Sequence, residues 1–224
     1  MARDSVAVAA GEPARNCPRC PRLVEFRNAA RAREPDWHNA PVASFRPAPN
    51  AGPVRLLIVG LAPGLRGANR TGRPFTGDYA GDLLYPTLAK HGFTRGNYRA
   101  APDDGLELVD CQITNAVRCV PPENKPIGAE AAACRGFLKA EIESLSKLEA
   151  ILALGTIAHN AMLTTLNLKR AKFPFAHGAV HYLGPLPRLI DSYHCSRYNV
   201  NTRRLTAEMF DEVIGRVRGL LTER

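Results

Sequence analysis

Between residues 56 and 78 the chain reads Leu56-Leu57-Ile58-Val59-Gly60-Leu61-Ala62-Pro63-Gly64-Leu65-Arg66-Gly67-Ala68-Asn69-Arg70-Thr71-Gly72-Arg73-Pro74-Phe75-Thr76-Gly77-Asp78. Its first four residues are apolar and predict a short buried strand. The loop that follows holds five glycines and three arginines. Ligands of α/β sheets bind at the carboxyl ends of strands, and glycine lets backbone N–H groups come close to a ligand. The loop therefore predicts the wall of a pocket for a flat or anionic ligand, with Asp78 at its far end.

Three more apolar runs predict strands at residues 110–117, 150–154 and 188–193. Helical patterns lie between them. A last helix is predicted at about residues 202–221 from apolar residues spaced four apart, namely Leu205, Met209, Val213 and Val217. Alternating strands and helices predict an α/β fold, with one parallel sheet covered by helices on both faces.

Two further segments set the domain organisation. Residues 1–16 lack a pattern and predict a flexible N-terminal tail, so a single folded domain is expected over residues 17–224. A connection rich in Pro and Ala runs from Pro35 to Pro53. Because loops of that length usually serve function, we expect it to pack over the site.

The charge of the chain favours an anionic partner. Its 224 residues include 30 Lys and Arg against 21 Asp and Glu, which gives a net charge of +9. Lys and Arg neutralise phosphates, so this excess favours binding to nucleic acid. Charge alone does not separate this interpretation from a basic protein that binds no nucleic acid.

The sequence predicts a cytoplasmic protein without membrane contact. It has no apolar run long enough to span a bilayer, and residues 6–10 are too short for the apolar part of a secretory signal. In that compartment the six cysteines are expected to be free thiols or metal ligands rather than disulfides.

The glycine-rich loop matches neither common phosphate-binding pattern. A P-loop ends on Gly-Lys-Ser or Gly-Lys-Thr, whereas this loop ends on Gly77-Asp78-Tyr79. Its first three glycines also lack the Rossmann spacing. Asp78 precedes a predicted helix, so a structural role as its N-cap stands beside a role in chemistry.

Two more polar residues stand where predicted strands end. A neutral His194 is suited to donate a hydrogen bond to an oxygen that gains charge, and the amide of Asn115 matches the edge of a pyrimidine. Each also has a structural interpretation, as a hydrogen-bonded residue of a strand end. The loop after His194 suits insertion into a DNA groove, with Arg197 near phosphates and Tyr198 as a wedge.

Four cysteines fall into two distant pairs, Cys17 with Cys20 and Cys119 with Cys134. Four thiolates from two segments can enclose a metal centre. Zinc ribbons and ferredoxins have other spacings, so spacing alone leaves zinc, an iron–sulfur cluster and buried free thiols open. Of the other two cysteines, Cys111 is predicted in the core, and Cys195 ranks below His194 as a catalyst because it has no assigned base.

Together these motifs resemble the family 5 uracil-DNA glycosylases (UDGb type). The resemblance runs from Cys17 to about Thr206. It is carried by the loop of residues 60–78, the four paired cysteines, Thr114-Asn115-Ala116-Val117-Arg118-Cys119-Val120-Pro121-Pro122-Glu123-Asn124-Lys125-Pro126 and His194-Cys195-Ser196-Arg197-Tyr198-Asn199. The apolar Ala62 fits family 5, since family 4 has a polar residue there.

The resemblance implies a three-layer α/β/α sandwich around a four-stranded parallel sheet. It implies a monofunctional DNA repair glycosylase that flips uracil out of double-stranded DNA and hydrolyses its N-glycosidic bond, leaving an abasic site. The protein is expected to be a monomer. Hypoxanthine and other deaminated bases stay open as further substrates. It also implies a structural four-iron four-sulfur cluster on Cys17, Cys20, Cys119 and Cys134, with zinc as the less favoured occupant.

The same resemblance implies roles for single residues. Catalysis is expected from Asp78, Asn115 and His194, base binding from Gly60, Leu61, Ala62, Phe75 and Asn115, and DNA contact from Arg70, Lys125, Arg197, Tyr198 and Asn199. In this assignment Asp78 is the catalytic carboxylate, Asn115 reads the base, Phe75 stacks on it and His194 lies beside its carbonyl.

The chain departs from the family pattern at one position. The usual His-Pro-Ser is His194-Cys195-Ser196 here, and the more flexible Cys alters the loop behind His194. The alternative function is a non-catalytic protein that binds abasic sites or damaged DNA on the same scaffold. A zinc-stabilised nucleotide-binding protein is a further alternative.

Overall fold

The computed structural model describes residues 11–222. In these residues the α-helices are α1 (Pro21–Arg33), α2 (Ala68–Thr71), α3 (Tyr79–Lys90), α4 (Gly128–Ser144), α5 (Thr156–Thr165), α6 (Arg197–Asn201) and α7 (Ala207–Thr222). The strands are β1 (Leu56–Gly60), β2 (Thr94–Arg95), β3 (Glu107–Leu108), β4 (Cys111–Asn115), β5 (Ala150–Leu154), β6 (Val180–His181) and β7 (Arg188–Ser192). Short 3₁₀ turns lie at Pro122–Asn124 and Arg170–Lys172.

The central sheet has the strand order β4-β1-β5-β7-β6. The first four strands run parallel, and β6 pairs antiparallel with β7. The predicted α/β sandwich is therefore confirmed, and the expected four-stranded sheet gains a fifth strand at its edge. β6 has only two residues, too few to leave an alternating pattern in the sequence. β2 and β3 form a separate antiparallel pair.

Successive residues of β1 face opposite sides of the sheet and so create two cores. Leu56 and Ile58 pack with α3 and α7, whereas Leu57 and Val59 pack with α4 and α5. Helices therefore cover both faces of the sheet. α7 begins at Ala207 rather than near residue 202, because residues 197–201 form the separate helix α6.

The connection of residues 35–53 was expected to pack over the site, but none of its residues lines the cleft described below. Phe45 pairs with Ile113 along the outer edge of β4. The Asn39 N–H donates to the Asn69 carbonyl at 3.0 Å, and the Asn69 amide donates to Asn39 Oδ1 at 2.8 Å. These bonds tie the connection to the glycine-rich loop.

Residues 1–10 of the predicted tail lie outside the described residues. Within the described part of that tail, the Glu12 carboxylate accepts hydrogen bonds from Arg46 at 3.0 Å and from the buried Arg118 at 3.1 Å. Contacts with the body of the protein therefore begin before residue 17. Across residues 11–222, no helix combines the length and the apolar character needed to cross a membrane.

Candidate active site

The carboxyl ends of β1, β4 and β7 open into one cleft. Its volume is about 620 Å³, within the range of small-ligand sites. Asp78, Asn115 and His194 all line it, although they come from segments far apart in the sequence. The cleft is also lined by Leu61, Ala62, Phe75, Tyr79, Asn124 and Arg197. The structure thus brings the predicted catalytic residues together around a space large enough for a nucleobase and its sugar.

Glycine at position 60 allows the side chains of Asn115 and Phe75, both predicted to bind the base, to lie against the backbone of β1. Gly60 pairs in register with Asn115 of β4. A Cβ atom on Gly60 would collide with the Asn115 amide and with the Phe75 ring. Any larger residue would therefore push both side chains away, which explains the glycine at the end of this strand.

Asp78 caps a helix and also lines the cleft. It is the N-cap of α3, because its Oδ1 accepts from the Ala80 N–H at 3.2 Å. Its Oδ2 lies against the loop, where a Cβ atom on Gly64 would approach it to 2.9 Å. Burial raises the pKa of the Asp78 carboxyl, while the N–H groups of Gly81 and Ala80 partly lower it. The carboxylate is therefore held rigidly by the helix and presented to the cleft.

His194 lies two residues beyond β7 and is held in its neutral form. Burial lowers the pKa of its imidazole to about 4. Its Nδ1 is buried and has no hydrogen-bond partner in residues 11–222. The ring centroid lies 5.9 Å from that of Phe75, at an angle of 33°. A neutral imidazole beside an aromatic wall is suited to donate one hydrogen bond to a ligand carbonyl.

Asn115 is the last residue of β4, and only 4% of its surface is exposed. Within the described chain its side-chain amide makes no hydrogen bond, so the structural role of satisfying a strand-end turn is not observed. Asn115 lines the cleft, where a ligand can supply hydrogen bonds to the amide. Phe75 is nearly buried beside it and offers a flat face.

The predicted DNA-contacting residues have different environments. Arg197 lines the cleft and its guanidinium lies 5.4 Å from the Tyr79 ring centroid, while the Tyr198 side chain is 72% exposed. The Asn199 amide instead donates to the His194 carbonyl at 2.8 Å. This bond closes the loop behind His194.

The other two predicted DNA-contacting residues have partners within the protein. The Arg70 guanidinium donates to the Arg66 carbonyl at 2.9 Å and to the Gly77 carbonyl at 3.4 Å. The Lys125 ammonium lies 3.3 Å from the Glu123 carboxylate on the surface. Arg70 thus braces the glycine-rich loop, and Glu123 partly neutralises Lys125.

The four paired cysteines line a single, mainly apolar cavity. No three of their sulfur atoms come within 4.8 Å of one another. A tetrahedral zinc ion bound at 2.3 Å would need sulfur atoms about 3.8 Å apart. As they lie here, the sulfur atoms are not close enough together to bind one zinc ion jointly.

Arg27 supplies positive charge beside this cavity. It is 2% exposed, and its Nη1 donates to Cys119 Sγ at 3.7 Å. Its Nε has no partner in the described residues. The Arg118 N–H donates to Cys134 Sγ at 3.4 Å. Donors aimed at the sulfurs are typical of a site that carries negative charge when it is filled.

Comparison with known proteins places the chain in a family. A family model described as the uracil DNA glycosylase superfamily matches residues 49–218. A type-5 uracil-DNA glycosylase of Thermus thermophilus is 44% identical over 203 residues, which cover 88% of this chain and 90% of that protein. The chain belongs to the type-5 uracil-DNA glycosylases.

A second type-5 relative agrees with this assignment, and a less similar type-4 relative belongs to the same broader group of uracil-DNA glycosylases. A type-5 uracil-DNA glycosylase of Pyrobaculum aerophilum is 40% identical over 207 residues, 90% of this chain and 87% of that protein. A type-4 uracil-DNA glycosylase of the same organism is 33% identical over 161 residues, 70% of this chain and 65% of that protein. The family that the motifs predicted is therefore confirmed.

The loop of this type-5 chain also contains an anchor that sequence analysis missed. Arg73 is 6% exposed and forms two hydrogen bonds of 2.8 Å with the carboxylate of Asp104. A third bond, from its Nε, reaches the Thr76 hydroxyl at 2.8 Å. The pairing holds the pKa of the Asp104 carboxyl well below its usual range. Arg73 thus holds the loop shape between α2 and Asp78, and its partner lies too far along the chain for a motif to reveal.

A second histidine–aspartate cluster lies close to the cleft but is sealed. Asp191 Oδ1 is 2.7 Å from His159 Nδ1, and Oδ2 is 2.9 Å from His181 Nε2. The other ring nitrogen of His159 lies 2.9 Å from the Phe173 carbonyl. Ligand atoms of the three side chains lie within 4.8 Å of one another, but these separations are those of direct hydrogen bonds. We call these three residues the sealed cluster.

Proposed function

We propose that this protein is a DNA glycosylase that excises uracil from double-stranded DNA by hydrolysing the N-glycosidic bond and leaving an abasic site. One observation carries the proposal. In a chain of the uracil-DNA glycosylase family, Asp78, Asn115 and His194 line one cleft, and the buried Nδ1 of His194 has no hydrogen-bond partner in the described residues.

The base must first leave the duplex, because the glycosidic bond is inaccessible in the base stack. Extrusion costs a few kcal/mol and costs less at a mismatch, so a U·G pair is the favoured substrate. The extruded uracil would stack on Phe75 and hydrogen-bond with the Asn115 amide. Both side chains lie at the deep end of the cleft, at 7% and 4% exposure.

In the reaction the bond between the sugar C1′ and the base nitrogen breaks, and its electron pair leaves with the base. The sugar becomes positively charged, water then adds to C1′, and the proton that the water loses ends on the departed base. The Asp78 carboxylate would stabilise this cation, orient the water, or do both. His194 would donate a hydrogen bond to the base oxygen that becomes negative, a contact worth about 3–4 kcal/mol in other enzymes.

The duplex would be held by the basic rim of the cleft. Arg197 would lie near phosphates, and the exposed Tyr198 ring would fill the gap left by the extruded base. Arg66 also lines the cleft and adds positive charge at the rim. Because phosphate neutralisation releases counterions, binding should weaken steeply as the salt concentration rises.

We further propose that Cys17, Cys20, Cys119 and Cys134 hold a four-iron four-sulfur cluster. When bound, the cluster supplies a rigid cross-link between the segment before α1 and α4, with no part in bond breaking. The wide sulfur spacing and the buried Arg27 support this proposal.

Iron and sulfide analysis with visible absorbance tests the cluster. Wild-type protein should be brown with four irons per chain, and Cys134→Ser should lose the absorbance. Cys111→Ala is the matched control, because Cys111 is a buried thiol of β4 outside the cavity. Colourless wild-type protein with one zinc per chain would contradict the cluster.

The function is tested with duplexes that carry uracil opposite guanine, followed by alkaline cleavage of any abasic site. Wild-type protein should yield the cleaved strand, and Asp78→Asn should bind an abasic duplex but form almost no product. A parallel duplex with hypoxanthine defines the base range. Binding of abasic DNA without any excision by the wild-type protein would instead identify a non-catalytic damage-binding protein.

A further inference from the structure

The turn after β4 has a strained backbone. Glu123 and Asn124 are consecutive and both have left-handed φ angles, 54° and 57°. Such angles are uncommon for residues other than glycine, and two in succession persist only where the surroundings impose them. Strain of this kind concentrates at functional sites, so the turn is a candidate for a functional role.

The strained turn places Asn124 on the wall of the cleft. Asn124 lines the cleft together with Asp78 and His194. Its backbone N–H donates to the Pro121 carbonyl at 3.2 Å. Its side-chain amide makes no hydrogen bond in residues 11–222 and is exposed to solvent. The amide is therefore available to a ligand without any rearrangement of the protein.

Two helices clamp the turn in this conformation. The Arg22 guanidinium of α1 donates to the Lys125 carbonyl at 3.0 Å. The same guanidinium pairs with Glu130 of α4 at 2.7 and 2.9 Å. Glu130 in turn accepts from the Ile127 N–H at 2.9 Å. Both helices lie beside the cysteine cavity. The region around that cavity therefore holds the turn, and with it Asn124, in place.

The depth of Asn124 indicates which part of a nucleotide it meets. Phe75 and Asn115 are nearly buried and would hold the base, whereas Asn124 lies at the exposed rim. The sugar of an extruded nucleotide stays joined to the two flanking phosphates, so it must lie nearer the rim than the base does. An amide N–H at the rim is suited to donate to a phosphate oxygen.

We propose that Asn124 binds the sugar–phosphate backbone of the extruded nucleotide through its side-chain N–H. This inference rests on the proposed glycosylase function and adds a contact outside the catalytic set. Because the contact does not involve the base, it should act equally on substrate DNA and on DNA that has lost its base.

The experiment measures the Kd for a duplex that contains a tetrahydrofuran abasic analogue. Glycine tolerates a left-handed φ angle, so Asn124→Gly removes the amide and leaves the backbone conformation available. We expect it to raise the Kd about 3- to 10-fold, the effect of one hydrogen bond. Asn124→Asp should raise the Kd further, since a carboxylate repels the phosphate. The matched control is Asn167→Gly, which replaces another left-handed Asn (φ 58°) beyond the end of α5.

The outcomes separate this proposal from the proposed function. An unchanged Kd for Asn124→Gly, with wild-type protein that excises uracil, would overturn the role of Asn124 alone. A loss seen only with uracil-containing DNA and not with the abasic analogue would also overturn it, because it would mean a contact with the base. Wild-type protein that neither excises uracil nor binds the analogue would refute the proposed function instead.

Discussion

Two clusters of histidine and acidic residues include Asp191 of β7 and His194 just beyond that strand, three positions apart in the sequence, yet they differ in every property that matters for chemistry. In the sealed cluster Asp191 is fully buried, and both its carboxylate oxygens meet imidazole nitrogens at 2.7 and 2.9 Å. In the cleft Asp78, Asn115 and His194 surround an open space, and they share no hydrogen bond among themselves.

The difference teaches how to recognise a site from its unused polar atoms. Both ring nitrogens of His159 already face acceptors within the protein, so it has neither a proton nor a lone pair left for a ligand. The buried Nδ1 of His194 lacks a partner in the described residues, and Asn115 lines the open cleft. Proximity of His and Asp is thus a poor guide to catalysis, and an unsatisfied polar group in a cleft is a better one.

The largest expected effect is the loss of protein stability when the sealed cluster is disrupted. Asp191→Ala should lower the free energy of unfolding by about 3–5 kcal/mol, because the buried imidazoles of His159 and His181 lose the carboxylate with which they pair. Urea unfolding followed by circular dichroism measures this. Asp211→Ala is the control, since Asp211 binds Lys90 and His91 at the surface, and it should change stability far less. Equal losses in the two variants would contradict the structural role of the sealed cluster.

The same comparison predicts that a substitution in the cleft slows the excision of uracil. His194→Ala should slow single-turnover excision about 10²- to 10³-fold, because it removes the donor to the departing base. Its melting temperature should change little, since Nδ1 has no bond to lose. His159→Ala should lower the melting temperature and change the excision rate little. A His194 variant that excises uracil at the wild-type rate would remove His194 from the mechanism.

The pH dependence of the rate is a smaller effect. Since the pKa of His194 is lowered to about 4, its imidazole stays neutral well above the acid range. Activity should be lost only on the acid side, where Asp78 with its raised pKa takes up a proton. Single-turnover rates should therefore be flat between about pH 6.5 and pH 8, with no step at the ordinary histidine pKa of about 6.5. A step there that disappears in His194→Gln would contradict the neutral imidazole.

The smallest expected effect is on stability. Substitution of Asp78 should raise stability, whereas substitution of Asp191 should lower it. Burial raises the pKa of the Asp78 carboxyl in the folded state, so the ionised group lowers stability above its unfolded pKa, and this cost disappears as the pH falls. Asn also caps helices well. Asp78→Asn should therefore raise the melting temperature slightly at neutral pH, which differential scanning calorimetry can detect. A marked fall would mean that Asp78 is chiefly structural.

Sequence patterns predicted those features that depend on local order. Apolar runs identified the parallel strands, and glycine at the end of β1 identified the wall of the cleft. The polar residues of the site were predictable because Asn115 and His194 stand at or just beyond strand ends. Parallel strands bring such residues to one edge, however far apart they lie along the chain.

The rest depends on contacts between distant residues, which leave no pattern. The bond between Arg73 and Asp104 crosses 31 residues, and that between Asn69 and Asn39 crosses 30. The connection of residues 35–53 was expected over the site because its length suggested function, but none of its residues lines the cleft. Asn199 was predicted to contact DNA, yet its amide bonds the His194 carbonyl.

The central claim is that residues of the open cleft carry out the reaction, whereas residues of the sealed cluster stabilise the fold. Single-turnover excision of uracil by Asp78→Asn and Asp191→Asn, compared at a temperature where both are folded, tests it most directly. We expect Asp78→Asn to be slower by about 10³-fold, or about 4 kcal/mol of barrier, and Asp191→Asn to stay close to the wild-type rate. A comparable loss in both variants, or none in Asp78→Asn, would contradict the account.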